Sequence, residues 1–345
     1  MKKKFRIIFR SLFLLFLVLG TVYILVRRPS DTVQTATGPI FGTTYHITST
    51  YAEPIVTFIV REMQAVDHSL SMFNPQSTTS RLNRGETDRT DGLVEEMWQL
   101  SECIASATDG AFDPTVAPLV NAWGFGFKHN ALPDSADVDS LLRLVGHDKV
   151  KLSGGRLTKK AEGLMLDFSA VAKGYGVARV ARLLDSRGVK HYMVEIGGEV
   201  VVKGGHPEGR PWKVGVTTPE DGGNGSVQCM FELTDGAMAT SGNYLRHYER
   251  NGRRYAHTID PRTGYPVQHE VLSATVFAPD CATADAYATA FMVLGLEKAK
   301  AVLARHKELK AYLICSAPNG QYRIWHSPDL KPLKPKEPHN RPDKL

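Results

Sequence analysis

The chain has 345 residues, 42% apolar and 23% charged, with a formal net charge of +6. This is ordinary globular usage, and it excludes collagen-like, intrinsically disordered and disulfide-scaffold classes. Seven Lys/Arg and no acid fall within residues 1–30, and five Lys/Arg within 331–345, so the body, 31–330, carries a net charge of −4 and has no electrostatic footprint for nucleic acid.

Residues 11–26, SLFLLFLVLGTVYILV, are almost wholly apolar and approach the ~20 residues that a hydrocarbon core requires. Lys2, Lys3, Lys4 and Arg6 precede them, which keeps the N-terminus cytoplasmic and exports the body. A cleaved signal peptide needs small residues soon after the apolar run; Arg27, Arg28 and Pro29 stand there instead. The expectation is an uncleaved anchor over 1–28 in the inner membrane, with the body on the periplasmic side. Such a space is oxidising. Cys103, Cys229, Cys281 and Cys315 include no Cys-x-x-Cys pair, and four buried thiols are expected rather than two bridges.

Residues 29–39 read as a linker, 40–330 as one domain, and 331–345, with four prolines, as a disordered tail. Residues 40–49 alternate like a strand. Ile55, Phe58, Ile59, Met63, Val66 and Leu70 give 54–70 a helical period. SMFNPQSTTSRLNRG reads as a loop. A helix is expected over 93–108, irregular chain over 111–130 and a short helix over 136–145. Hairpin signals surround Gly154-Gly155, and LMLDF reads as a strand. Helix 170–187 and strand 191–203 follow, then strand-rich chain over 212–280. A helix over 281–306, with a break offered by Gly295, and a strand over 311–316 complete the pattern. This order gives an α+β fold with mixed or antiparallel sheets and flanking helices, preceded by an N-terminal membrane helix. No dinucleotide fingerprint, phosphate-binding P-loop or Gly-x-Ser-x-Gly elbow is present.

Five segments carry candidate chemistry. Asp285 and Thr289 are spaced i, i+4, so they share one helix face. A carboxylate and a hydroxyl there are hard oxygen ligands of the kind Mg²⁺ takes. The structural alternative is an Asp serving the helix dipole or cap, but Asp280 and Thr283 are also available as caps. Asp167-Phe-Ser-Ala-Val-Ala-Lys-Gly-Tyr175 joins the expected strand to a helix. Asp167 or Ser169 can cap it, and Lys173 opposes its dipole unless an anion is near. Gly110-Ala-Phe-Asp-Pro-Thr115, with Trp123 and Gly124-Phe-Gly-Phe127, is an aromatic turn or a loop offering Asp113. His257-Thr-Ile-Asp-Pro-Arg-Thr-Gly-Tyr-Pro266 and Ala239-Thr-Ser-Gly-Asn243 are compact turns.

Taken together, FGTTYHI, LSMFNPQSTTSRLN, GAFDPTVAPLVNAWGFG, DFSAVAKGYGVARV, VEIGGEV, ATSGNY, HTIDPRTGYPV and ATADAYATAFMVLG, running in order over 40–296, resemble the ApbE-type FAD:protein FMN transferases. The resemblance implies a T-fold-like α+β architecture with a flavin cleft. The implied activity is Mg²⁺-dependent transfer of FMN from FAD to a Thr or Ser hydroxyl of an acceptor protein, with release of AMP. It implies a metal site of Asp285, Thr289 and the Ala170 carbonyl. The implied FAD site comprises Phe41, Phe73, Ala111, Phe112, Asp113, Asp167, Lys173 and His257. Phe41 stands where many members have Met, and Phe73 where many have Tyr or Trp. Many members also have a lipidated cysteine after the signal; none stands here, so the apolar helix itself is the expected anchor. The implied partners are FAD, the membrane and an acceptor subunit of a membrane redox complex with a Ser/Thr motif. His257, Asp285 and Lys173 are the catalytic candidates. His257 is preferred as general base over Asp285 or Asp260, because a carboxylate on a metal is a poorer base. Two other readings stay open: an FAD pyrophosphatase, and a membrane-tethered flavin-binding protein without turnover.

Overall fold

The computed structural model describes residues 12–21, 33–51, 55–126, 132–220, 226–243, 247–250, 253–318 and 321–334. Helix α1 covers 12–21. Among the described residues no helix is long and apolar enough to cross a membrane. The expected anchor extends beyond α1 on both sides, over 1–11 and 22–28, outside the described residues.

The expected α+β architecture is present. Eight strands form one antiparallel sheet in the order β1-β2-β5-β6-β9-β12-β13-β14. Strands β1 (Gln34–Ile40) and β2 (Thr43–Ser49) make a hairpin. Its turn residues Phe41 and Gly42 have φ of 50° and 73°, as a two-residue turn matching strand twist requires. β1 falls where a linker was expected over 29–39. QTATGPI offers no apolar alternation, because β1 is an edge strand held by its ladder to β2, and an edge tolerates Pro39. The expected single strand 191–203 is two, β5 (Tyr192–Ile196) and β6 (Glu199–Lys203), hinged at Gly197 and Gly198. Strands β9 (Gly236–Gly242), β12 (Val271–Ala278), β13 (Lys310–Ser316) and β14 (Tyr322–His326) complete the sheet. Almost every residue of β12 is buried, Ser273 and Thr275 included, as a central strand covered on both faces requires.

One face of the sheet carries helices α7 (Ala172–Ser186) and α8 (Cys281–Arg305). α8 is buried nearly all round and is interrupted at Gly295, with φ 73° and ψ 175°, as the sequence offered. Outside these lie α2 (Val56–Leu70) and α4 (Gly92–Ala107). In α2, Ile59, Met63, Val66 and Leu70 are buried as expected. Phe58 is exposed instead, with the Arg187 guanidinium 3.9 Å from its ring centroid. On the opposite face, hairpin β7 (Trp212–Thr217) and β8 (Val227–Leu233) packs Trp212, Val214 and Phe231 against Val200, Phe277 and Tyr312. Leu333, in the expected tail, pairs with Met230 of β8 by two backbone hydrogen bonds; 335–345 lie outside the described residues.

Two short helices escaped the sequence, while the short helix expected over 136–145 is present. α3 (Thr78–Asn83) lies inside the expected loop, and the Ser77 side chain caps it by accepting from the Ser80 N–H. α5 (Ala117–Ala122) begins with Pro118 in its first turn, inside the stretch read as irregular. α6 (Ser135–Leu142) has a capping box of Asp134 and Asp137. Hairpin β3 (Val150–Ser153) and β4 (Arg156–Lys159) turns at Gly154-Gly155 as expected. Strands β10 (His247–Arg250) and β11 (Arg253–Ala256) form another hairpin. The four cysteines are free; three are buried, but Cys103 is exposed, contrary to the expectation of four buried thiols.

Candidate active site

The site is built around the start of α7. The preceding segment LMLDF is not a strand. The side-chain amide of Asn83 replaces the ladder: Nδ2 donates to the Leu166 carbonyl at 2.8 Å, and Oδ1 accepts from the Leu166 N–H at 2.7 Å. One polar side chain thus satisfies both backbone groups. The next N–H, of Asp167, donates to the Pro114 carbonyl at 2.6 Å, tying the GAFDPT loop to this segment. The Asp167 carboxylate accepts from the Ser169 N–H at 2.7 Å and turns the chain toward the helix. Burial pushes the Asp167 carboxyl up, against these hydrogen bonds.

Neither Asp167 nor Ser169 caps α7; its N-cap residue, Val171, has no side-chain cap. The carboxylate at this helix start comes from α8. Asp285 Oδ2 accepts from the Gly174 N–H at 2.9 Å. A Cβ on Gly174 would lie 2.4 Å from the Cys281 carbonyl oxygen and 2.6 Å from the Asp285 Cβ, so glycine permits the approach of the two helices. Asp285 does not cap its own helix. Asp280 does, accepting from the Thr283 N–H at 3.0 Å and from its hydroxyl at 2.6 Å.

One turn beyond buried Asp285, the Thr289 hydroxyl lies 3.5 Å from the Ala170 carbonyl oxygen and 3.2 Å from the Ser241 hydroxyl. The three residues named as a metal set therefore converge on the α7 start. Burial pushes the Asp285 carboxyl up, while Lys173 and the Gly174 N–H pull it down. A divalent cation would supply the positive charge that this burial demands, and the donors are hard oxygens. No group of three or more His, Cys, Asp or Glu side chains suited to a metal occurs among the described residues. A cation here would therefore draw its further oxygens from water or substrate, which suits Mg²⁺.

Lys173 is paired with Glu199, the first residue of β6. Its side chain remains 34% exposed while that of Glu199 is 1% exposed, so a part-exposed lysine side chain covers a buried carboxylate. Burial opposes the lysine charge, but Asp285 and Glu199 together outweigh it and raise its pKa. Burial and the Asp285 charge push the Glu199 carboxyl up against the pull of Lys173. Glu199 was not singled out from sequence; VEIGGEV gave no spacing signal, because its partner lies in another element.

The other candidates divide. The Phe41 ring packs against the second turn of α7, 2.8 Å from where a Cβ on Gly176 would lie. Phe73 is 65% exposed, on the loop before α3. Ala111 and Phe112 are buried in the main core, so their side chains cannot line a cleft and only their backbone can meet a ligand. Asp113 is buried and holds loops together: Oδ1 accepts from the Thr115 N–H and hydroxyl, and Oδ2 from the His147 N–H at 2.9 Å. His257 is half-buried, edge-on to Phe125 with ring centroids 6.3 Å apart. The neighbouring Thr258 hydroxyl donates to Asn243 Oδ1 at 2.6 Å. Asn243 follows the strand carrying Ser241, so this bond ties the histidine loop to the strand beside Thr289. Asp260 is gripped by the Arg262 guanidinium at 2.8 and 2.7 Å, which occupies both oxygens.

Residues 41–313 match the ApbE family. The chain belongs to the ApbE family. A protein of Vibrio cholerae named FAD:protein FMN transferase is 35% identical over 318 residues, 89% of this chain and 94% of that protein. One of Haemophilus influenzae with the same name is 36% identical over 310 residues, 84% and 88% of the two chains. The solved flavin transferase ApbE of Vibrio cholerae superposes with a TM-score of 0.76 at 32% identity, over 86% of this chain and 97% of that one. The flavinyl transferase ApbE of Pseudomonas stutzeri, in its apo form, gives 0.78 at 32% identity, over 86% and 95%. In this ApbE-family chain, the matched region contains every candidate site residue.

Proposed function

We infer that this chain is an FAD:protein FMN transferase. It uses Mg²⁺ to cleave FAD at its pyrophosphate, transfers FMN to a Thr or Ser hydroxyl of an acceptor protein, and releases AMP. One observation carries the reading: a buried carboxylate, a hydroxyl and a backbone carbonyl meet at the α7 start, beside Lys173, in a chain of the ApbE family. The transferase name of the relatives supports it.

In this reading Asp285, Thr289 and the Ala170 carbonyl hold Mg²⁺. A divalent ion held there would supply charge neutralisation and Lewis acidity at the pyrophosphate. Lys173 shares the remaining negative charge. Phe41 and Phe73 offer apolar surface to the flavin, and the backbone of Ala111 and Phe112 lines the site with Asp113 and Asp167. The acceptor hydroxyl oxygen bonds to the FMN phosphorus as the bond from that phosphorus to the bridging oxygen breaks. His257 takes the hydroxyl proton, and the bridging oxygen leaves on AMP.

The body lies, in this reading, on the periplasmic side of the inner membrane, tethered through residues 1–28. The acceptor is a subunit of a membrane redox complex. Support comes from the apolar run 11–26 behind Lys2, Lys3, Lys4 and Arg6. A pyrophosphatase would use the same residues with water as nucleophile; the protein acceptor in the relatives' name favours transfer.

The test is incubation with FAD, Mg²⁺ and an acceptor domain carrying a Ser/Thr motif, followed by a denaturing gel read by flavin fluorescence and an AMP assay. A fluorescent acceptor band that disappears with EDTA supports transfer. AMP release without a band, across several acceptor domains, supports the pyrophosphatase. Bound FAD with neither product supports a binding protein.

A further inference from the structure

Glu199 is an expensive residue to bury, since a carboxylate leaves water at large cost unless it is paired. It sits just after the Gly197-Gly198 turn, beneath the first turn of α7, and its neighbours on β6 are Val200, Val201 and Val202. One oxygen, Oε1, holds the Lys173 ammonium. The other, Oε2, is buried and has no hydrogen-bond partner among the described residues. Lys173 also lies beside a second carboxylate, Asp285, which accepts from the N–H of the next residue, Gly174, at 2.9 Å. An ammonium on a four-carbon stem is a compact, movable point charge. Released from Glu199, it would turn to the remaining anion and occupy the oxygen that a divalent cation needs.

We propose that Glu199 is a positioning residue: it holds Lys173 away from Asp285 and so keeps that carboxylate available to the metal. This rests on the reading of Asp285, Thr289 and the Ala170 carbonyl as the Mg²⁺ set. Two carboxylates around one ammonium also leave one excess negative charge, which attracts a divalent cation. Neutralising Glu199 removes that excess, and neutralising Lys173 in the same chain returns it.

The test is Mn²⁺ binding by the full-length chain without flavin, read from the electron paramagnetic resonance of the free ion. Glu199→Gln weakens Mn²⁺ affinity about tenfold, the lower end for loss of a partner that orients a ligand. Lys173→Met in the Glu199→Gln background restores it, and Glu199→Asp, which keeps the charge, stays near wild type. Thermal unfolding of each variant establishes that it is folded. Unchanged affinity in Glu199→Gln, or a double variant as weak as the single one, overturns the proposal. Asp285→Asn separates the two readings. If it abolishes Mn²⁺ binding while Glu199→Gln does not alter it, the metal set stands and the role of Glu199 falls. If Asp285→Asn binds like wild type, or wild type does not bind, both fall.

Discussion

Asp285 of α8 caps the first turn of α7 through the Gly174 N–H, 2.9 Å away, across a contact too close for any side chain at position 174. One carboxylate therefore serves two purposes. It satisfies a helix N-terminus from outside that helix, and it presents charge beside Lys173. Gly174→Ala forces α7 and α8 apart, because the nearest obstacle is backbone. The expected loss is about 2–3 kcal/mol of stability, read by denaturant unfolding, together with loss of FMN transfer.

Asp285→Asn keeps an acceptor for Gly174 but removes the charge. Under the proposed function Asp285 is a metal ligand; even an indirect partner of a metal is worth ~10–100-fold, so on that reading the substitution is expected to lower Mg²⁺-dependent transfer by at least about 100-fold. The initial rate of acceptor flavinylation against Mg²⁺ concentration measures this, with wild-type unfolding as the control for folding.

His257 and Asp260 can be told apart. The Asp260 oxygens are taken by Arg262, whereas His257 stands at the edge of the Phe125 ring. His257→Gln is expected to lower kcat by about 100-fold and to remove an ionisation from the pH–rate profile. Asp260→Asn is expected to cost about 1–2 kcal/mol of stability and to keep that ionisation.

Asn83→Ala leaves the N–H and carbonyl of Leu166 without their partner. The expected cost is about 2 kcal/mol or more, and the α7 start loses definition with it. Asn83→Asp retains the acceptor and loses the donor, so it falls between. Thermal unfolding of the two variants gives the order.

Glu96 gives a pH prediction. Burial alone would raise its carboxyl, but the hydroxyl of buried Tyr175, at 2.5 Å, and the Arg182 guanidinium outweigh it and hold it below the ordinary glutamate range. A group depressed in the folded state contributes stability above its unfolded pKa and loses it as pH falls through its folded value. The wild type should therefore lose more stability than Glu96→Gln on acidification from the ordinary glutamate range downward. Since the Glu96 side chain is 39% exposed, screening keeps the difference to about 0.5 kcal/mol. Denaturant melts at a series of acid pH values measure it.

Features that depend on near neighbours along the chain are legible in the residues alone. The apolar stripe Ile59, Met63, Val66 and Leu70 defined the buried face of α2, and Gly154-Gly155 defined a hairpin. Asp280 was one of two caps on offer, with Thr283, that would free Asp285, and the i, i+4 spacing put Asp285 and Thr289 on one face. Short elements without an internal period did not show: β1 draws its stability from β2, and α3 rests on the cap Ser77. Only the tertiary structure decided that LMLDF is held by an amide from α3 rather than by a ladder, and that the carboxylate at the α7 start belongs to α8. It also decided that the partner of Lys173 is Glu199. Each of these joins residues that are distant in the chain, and no local propensity encodes a charge or hydrogen bond supplied by another element.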